Sequence, residues 1–338
     1  MLKLENTVFT RYPYLKLSLK ANKITEKYYK NKVYLRGLIE FSNYCIQDCL
    51  YCGIRKSNTK IYRYRMSLEQ IFKCIKNGYK MGLRTFVLQS GEDPFYTSKM
   101  ITSLIEKVKN KIDNKIAITL SIGIRPKNEY IDFKKAGADR FLMRFETSDE
   151  KMHKYLRNGI SLKNRLIALE NLKNAGYEVG SGFMIGLPEE TESIFNGNIN
   201  LCKDLELHMI GIGPFIPHPD TPLKKYITSF NKEKALISTI KAVSLLRINL
   251  PYSNIPATTA MGTIHPMGRE MALLSGANVL MPNITINEFK KHYLLYPDKI
   301  CINESGTECI ECQNIRLKNI GKVISFERGD SILKNIKG

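Results

Sequence analysis

Residues 33–55 read VYLRGLIEFSNYCIQDCLYCGIR. Positions 33–41 are mostly β-branched, aromatic and long apolar side chains, as in a strand covered on both faces. That strand runs directly into Cys45, Cys49 and Cys52, a C-x3-C-x2-C triplet on a short loop. Three thiolates this close can hold three irons of a cubane iron–sulfur cluster and leave the fourth iron open to an exchangeable ligand, whereas four-cysteine ligation fills every iron. Tyr51 lies between the last two cysteines and can set an aromatic ring beside such a cofactor. A zinc knuckle competes with this reading, but zinc commonly takes four Cys or His ligands and no His lies near the loop.

Outward from this strand the chain alternates. Residues 67–81 show helical spacing, with Ser67 as N-cap and Gly82 just past the end. Further strands are expected at 85–90, 116–122, 140–147, 178–186, 209–216, 255–261 and 278–281. Helices are expected near 97–110, 127–136, 161–175, 191–206, 231–248 and 266–275, with a weaker one near 286–295. Alternating strands and helices imply right-handed βαβ units and a parallel sheet. An open doubly wound sheet gives the same local pattern, but eight strands in about 250 residues suit an α/β fold closed as a (βα)8 TIM-type barrel. The expected organisation is an N-terminal lead-in over 1–32, a barrel over 33–296, and a C-terminal extension over 297–338 that carries further cysteines.

Composition narrows the class. The 338 residues are 43% apolar and 25% charged, an ordinary globular mixture that excludes a disordered tail, a collagen-like chain and a small disulfide scaffold. The formal charge of +20 invites a nucleic-acid reading. The basic residues are scattered, however. Their densest run is Lys20, Lys23, Lys27, Lys30 and Lys32 with Tyr28 and Tyr29. A nucleic-acid binder concentrates such residues on one face, so this run is expected to be solvated surface and no nucleic-acid partner is expected. No stretch approaches the ~20 apolar residues that cross a bilayer, and residues 1–32 lack the apolar h-region of a secretory signal. The expectation is a cytoplasmic protein with no membrane partner, whose thiols stay reduced and whose cysteine spacing serves chemistry.

Other candidate groups fall at strand ends, where a barrel keeps its chemistry. Ser90-Gly91-Glu92-Asp93-Pro94 follows the second strand, and Gly91 permits close backbone approach. The fourth strand ends in Arg144-Phe145-Glu146-Thr147, and alternation puts Arg144 and Glu146 on one side. Facing inward, they need a polar ligand or an ionic partner. The segments 211–223 (GIGPFIPHPDTPL) and 254–270 (NIPATTAMGTIHPMGRE) are rich in Gly, Pro and Thr, and can offer N–H groups and hydroxyls to an anion. Thr258, Thr259 and Ala260 would form a donor-lined ledge for carboxylates. His218 and His265 adjoin prolines in loops, where histidine more often serves structure than catalysis. Cys301, Cys309 and Cys312 form a second group, C-x7-C-x2-C. Cys74 and Cys202 fall inside helices and are expected to pack as small apolar residues.

The triplet resembles the signature of the radical S-adenosylmethionine (SAM) superfamily. The stretches EFSNYCIQDCLYCGIR, VLQSGEDP, GIGPFIPHPDTPL, IPATTAMGTIHPMGRE, ANVLMPN and LYPDKIC narrow the resemblance to HydE-type proteins of FeFe-hydrogenase maturation, from about Arg36 to Cys312. They set the chain apart from the biotin synthase and methylornithine synthase type, which act on small amino-acid-like substrates and are the alternative reading. The resemblance implies a [4Fe–4S] cluster on Cys45, Cys49 and Cys52. SAM is then chelated by the open iron and cleaved reductively to a 5′-deoxyadenosyl radical. Gly91, Glu92 and Asp93 belong to the segment whose backbone accepts SAM's ammonium. Glu146 would bind its ribose or amino group, and Arg165 its carboxylate. Arg144, Thr258, Thr259 and Ala260 would contact the substrate's anionic groups, with Met209, Met281 and Tyr296 lining the cavity.

The implied substrate is a small sulfur-containing molecule, an iron-bound cysteine carrying CO and cyanide, used in building the di-iron subcluster. The implied partners are other maturation proteins and a reductant such as ferredoxin or flavodoxin. Cys301, Cys309 and Cys312 match a second iron–sulfur site that some members have. Phe145 departs from the family pattern, which places His there.

Overall fold

The computed structural model describes residues 13–337. The first part of the lead-in, residues 1–12, lies outside the described residues.

The elements follow in chain order. Helix α1 (Leu15–Tyr29) precedes strands β1 (Lys32–Leu35) and β2 (Gly37–Ser42), then α2 (Leu68–Lys80), β3 (Thr85–Ser90) and α3 (Ser98–Lys111). Next come β4 (Ala117–Ser121), α4 (Lys127–Lys135), β5 (Arg140–Leu142), α5 (Glu150–Leu156), α6 (Leu162–Asn174), β6 (Glu178–Ser181) and β7 (Met184–Ile185). Helix α7 (Glu192–Asp204), β8 (Met209–Ile210), β9 (Gly213–Pro214), α8 (Lys232–Asn249), α9 (Thr259–Ile264) and α10 (Gly268–Leu274) follow. The chain ends with β10 (Val279–Leu280), α11 (Asn287–Lys290), α12 (Gly306–Asn319), β11 (Val323–Ser325) and α13 (Ile332–Lys337).

Strands β2, β3, β4, β5, β6 and β8 form one parallel sheet in that order. Parallel bridges carry the ring onward from Met209 to Asn254, from Pro256 to Val279, and from Leu38 to Asn283. Strand β10 pairs with β1, which continues into β2. The sheet therefore closes on itself as the expected (βα)8 barrel. Helices start where the sequence offers caps. Ser67 accepts from Gln70 in a capping box at α2, and Thr97, Thr191 and Asn231 cap α3, α7 and α8. Each such cap contributes about 1 kcal/mol. Their apolar faces cover strands whose outward side chains, among them Phe86, Phe141 and Val179, are buried.

Several expected elements are shorter or different. The strand over 255–261 is only a pair of bridges, because Pro256 has no N–H for a ladder and Thr258 opens α9 instead. The helix over 286–295 shrinks to Asn287–Lys290. The strand over 178–186 breaks at Gly182, whose φ is +151° and where a Cβ would lie 2.2 Å from the Gly211 carbonyl. Sequence reading gave no helix to 15–29. Here α1 packs along α8 with Tyr29 buried beneath the Arg247 guanidinium, 4.8 Å from the ring, so that aromatic is not on a basic surface stripe.

Strand β11 was also not expected. It pairs in parallel with β1, and the chain after it plugs the N-terminal mouth of the barrel. Arg140, fully buried, bonds Glu178 and Asp330, while Arg36 and Asn254 donate to the Gly329 carbonyl. With that end stoppered by ion pairs, the cavity inside opens at the opposite end, where the strands finish. No helix among the described residues is long and apolar enough to cross a membrane.

Candidate active site

A cavity of about 350 Å³ runs through the barrel from the C-terminal strand ends toward the floor. Cys45, Cys49 and Cys52 stand along its wall with Tyr51, Gly91, Glu92, Glu146 and Arg165. Arg144, Met209, Thr258, Thr259, Ala260, Met281 and Tyr296 line the same space. Residues scattered over more than 250 positions are thus brought to one volume, as expected. Asp93 is the exception. Its buried carboxylate takes a two-point ion pair from Arg65 and a hydroxyl bond from Ser42, and it holds the loop from behind rather than facing the cavity.

The cysteine loop is fixed by backbone bonds. The Gly91 N–H donates to the Ser42 carbonyl, Ile46 N–H to the Glu92 carbonyl, and Leu50 N–H to the Leu156 carbonyl at the end of α5. A Cβ on Gly91 would meet the Tyr44 carbonyl at 2.1 Å and Cys45 Cβ at 2.7 Å, so only glycine lets the two loops approach. Glu92 N–H points at Cys45 Sγ, 3.4 Å away. Tyr51 packs with Leu156, Met184, Leu187, Phe215 and Leu223 in a small apolar cluster against one side of the cavity.

Burial raises all three thiols of the triplet, and the largest opposing influence at Cys49 is the cation of Arg157. Among the described residues no three His, Cys, Asp or Glu side chains converge closely enough for a single metal ion. The triplet presents three thiol donors along one wall, a donor set that suits a cubane cluster with one iron left open.

The charged groups form a linked set. Glu92 accepts from Gln47 at 2.7 Å and from Arg157 at 3.2 Å, and lies 3.6 Å from Arg165. Arg144 and Glu146 pair at 2.6 Å, so the inward-facing charges at the end of the fourth strand satisfy each other across a left-handed turn at Glu146, φ +68°. Arg144 Nε, Arg157 Nε, Arg165 Nε and Thr258 Oγ1 are buried without a hydrogen-bond partner among the described residues. Buried polar atoms are almost always bonded, so a group of orphans around one cavity marks a place for a polar ligand. Burial lowers the affinity of Arg165 for its proton, and neighbouring Arg157 adds to this, so an anion there would be welcome.

Other residues singled out in the sequence lie outside the cavity. His218 and His265 do not line the cavity; their Nδ1 atoms accept the Asp220 and Met267 N–H groups within their own loops. Phe145 stacks on Phe183 at 5.8 Å in the core, a place apolar enough to take a phenyl ring. Cys74 and Cys202 are buried in α2 and α7. In the second group, Cys301 and buried Cys309 face each other beside Arg269, and Cys312 is exposed on α12. The Cys309 S–H and the Arg269 guanidinium bring the Cys301 thiol down to about 6. The Glu308 carboxylate accepts the Ser305 N–H and closes the capping box of α12.

Sequence reading missed Arg36, Gln89, Arg157, Tyr293 and Lys299, which also line the cavity. Arg36 carried a usable signal, since it and Glu40 are the two charges in the otherwise apolar stretch 33–41. Arg157 carried none, since only the fold brings it to Cys49.

Residues 39–202 match the family model of the radical SAM superfamily. The chain is 45% identical over 302 residues to the [FeFe] hydrogenase maturase subunit HydE of Thermotoga maritima, spanning 89% of this chain and 84% of that one. It is 30% identical over 267 residues to the 3-methylornithine synthase of Methanosarcina acetivorans, spanning 78% and 73% of the two chains. Among solved structures, methylornithine synthase (PylB) superposes with a TM-score of 0.76 at 26% identity, covering 93% of this chain and 89% of that one. A barrel of this kind with such a triplet beyond its first strand is a radical SAM enzyme, whose cofactors are a [4Fe–4S] cluster and SAM. Within that superfamily the chain belongs to the HydE family of hydrogenase maturases.

Proposed function

We propose that this enzyme acts in assembly of the di-iron subcluster of FeFe-hydrogenase, on a small sulfur-containing substrate of the iron-bound cysteine type. The observation that carries this reading is that one cavity is lined by the cysteine triplet, the Thr258–Ala260 ledge and Arg144. Cys45, Cys49 and Cys52 are its cluster ligands. Gly91 and Glu92 shape the wall for SAM's amino group, Glu146 meets its polar face, and Arg165, with an unpartnered Nε, takes its carboxylate. Bound there, the cluster and SAM would supply one-electron reductive C–S cleavage, the radical chemistry that belongs to the cofactors.

The chain's own residues orient and exclude water. Arg144, Thr258, Thr259 and the backbone at Ala260 hold the substrate's carboxylate or other anionic groups. Met209, Met281 and Tyr296 supply an apolar wall that keeps the reacting sulfur dry. Cys301, Cys309 and Cys312 hold an accessory iron–sulfur group that the radical step does not need. A low-potential ferredoxin or flavodoxin delivers the electron, and other maturation proteins exchange substrate and product.

The test is activation of an apo-hydrogenase in a maturation mixture from which the cognate maturase is omitted. Restored hydrogen evolution on adding this protein supports the reading. Absence of activation, with intact SAM cleavage, would favour the methylornithine synthase type, whose structure shares this fold.

A further inference from the structure

Arg157 caps the C-terminal end of α5 and is 6% exposed. One guanidinium nitrogen donates to Cys49 Sγ at 3.0 Å and another to Glu92 Oε1 at 3.2 Å. Its backbone is held by the His153 carbonyl, Asp149 caps the helix it terminates, and Leu156 beside it binds the cysteine loop through the Leu50 N–H. The guanidinium is therefore aimed by a short rigid helix that is itself stitched to the loop.

Arg157 and Arg165 share the carboxylate of Glu92, and the nearby Glu146 carboxylate pairs with Arg144. A buried guanidinium without a full counter-charge is costly. The Cys49 sulfur is a further acceptor within hydrogen-bond distance of Arg157, at 3.0 Å.

We infer that Arg157 is a positioning residue for the cluster, holding the Cys49 ligand by an N–H···S bond and raising the cluster's reduction potential. On reduction the cluster gains one electron, taken from dithionite or a low-potential iron–sulfur or flavin protein. A fixed cation beside a ligand sulfur stabilises the more negative state more than the oxidised one, and hydrogen bonds to sulfur act in the same direction. The inference rests on Cys49 being a cluster ligand.

The experiment is anaerobic reconstitution of the full chain with iron and sulfide, followed by a redox titration monitored by electron paramagnetic resonance without SAM. Arg157→Met is expected to keep the cluster and to make its reduction at least tenfold less favourable, a shift of about 59 mV to more negative potential for one electron. Arg157→Lys, which retains charge and loses the fork, is expected to fall between that variant and wild type. An unchanged potential in both variants, or an equal shift in both, overturns the inference. Should Arg157→Met take up no iron, the Lys variant decides alone: a lowered potential supports the role and an unchanged one removes it. Cys49→Ser separates the two layers. If that variant builds a normal cluster and still cleaves SAM, the ligand assignment fails; if it loses both while the Arg157 variants match wild type, only the role of Arg157 fails.

Discussion

Replacing Gly91 by alanine adds one methyl group at the tightest point between the second strand's loop and the cysteine loop. The new carbon would lie 2.1 Å from the Tyr44 carbonyl oxygen and 2.7 Å from Cys45 Cβ. Both are backbone or near-backbone atoms, so no flexible side-chain end can swing away. At an unstrained site, Gly→Ala stabilises by about 0.4–1 kcal/mol through the unfolded chain. Here overpacking instead costs about 1–3 kcal/mol. With an unfolding entropy of about 2.1 cal/mol/K per residue over 338 residues, the apo-protein Tm should drop by about 1.5–4 °C rather than rise. The greater effect falls on the site. Relieving the overlap moves Cys45 away from Glu92 N–H and breaks the Gly91 N–H to Ser42 bond, which misplaces one ligand. Calorimetry of the apo-protein and iron and sulfide analysis after reconstitution read the two effects separately. A variant that melts at or above the wild-type temperature and takes up a full complement of iron would refute the close-approach account of this glycine.

Burial of Glu190, opposed by the Gly186 N–H, pushes its carboxyl up to about 7. A raised folded-state value means that its contribution is fully present below the unfolded value near 4.5 and is lost as pH rises through 7. Glu190→Gln should therefore match wild type in Tm at pH 4.5 and exceed it at pH 8, by the equivalent of about 1–3 kcal/mol; a pH-independent difference would contradict this. Lys299, from the C-terminal extension, meets Glu40 inside the barrel with almost no exposure on either side. Lys299→Met should cost about 3–5 kcal/mol by leaving a buried carboxylate unpaired, and Glu40→Gln added to it should recover most of the loss; thermal melts of the three variants check both. Thr258 Oγ1 is buried with no hydrogen-bond partner among the described residues, so Thr258→Val should leave stability within about 0.5 kcal/mol while weakening retention of an anionic substrate, measured by calorimetric titration. A large loss of stability would mean that the hydroxyl serves the fold.

The sequence made the barrel readable because its strands and helices differ in period and the helices carry their own caps, as at Ser67 and Thr97. The cysteine triplet was readable because its pattern is local: three thiols within eight residues of one loop. What escaped was non-local. Strand β11 is only three residues long, with Val323 exposed, and becomes a strand because β1 offers it an edge. Arg157 gains its meaning from the packing of α5 against the cysteine loop. Asp93 shows the converse, since it belongs to a recognisable motif yet spends its carboxylate on Arg65 and Ser42. The strand expected over 255–261 failed because alternation of small residues is compatible with both a ladder and a helix start, and Pro256 decided the outcome.

The central claim is that Cys45, Cys49 and Cys52 hold a cluster that works on SAM within this cavity. Its most direct test is 5′-deoxyadenosine formation by the anaerobically reconstituted protein with dithionite and SAM. The wild type should form the product, Cys309→Ser should retain that ability, and Cys49→Ser should lose it. Product from Cys49→Ser at the wild-type rate, or none from a wild type that carries a full cluster, would contradict the account.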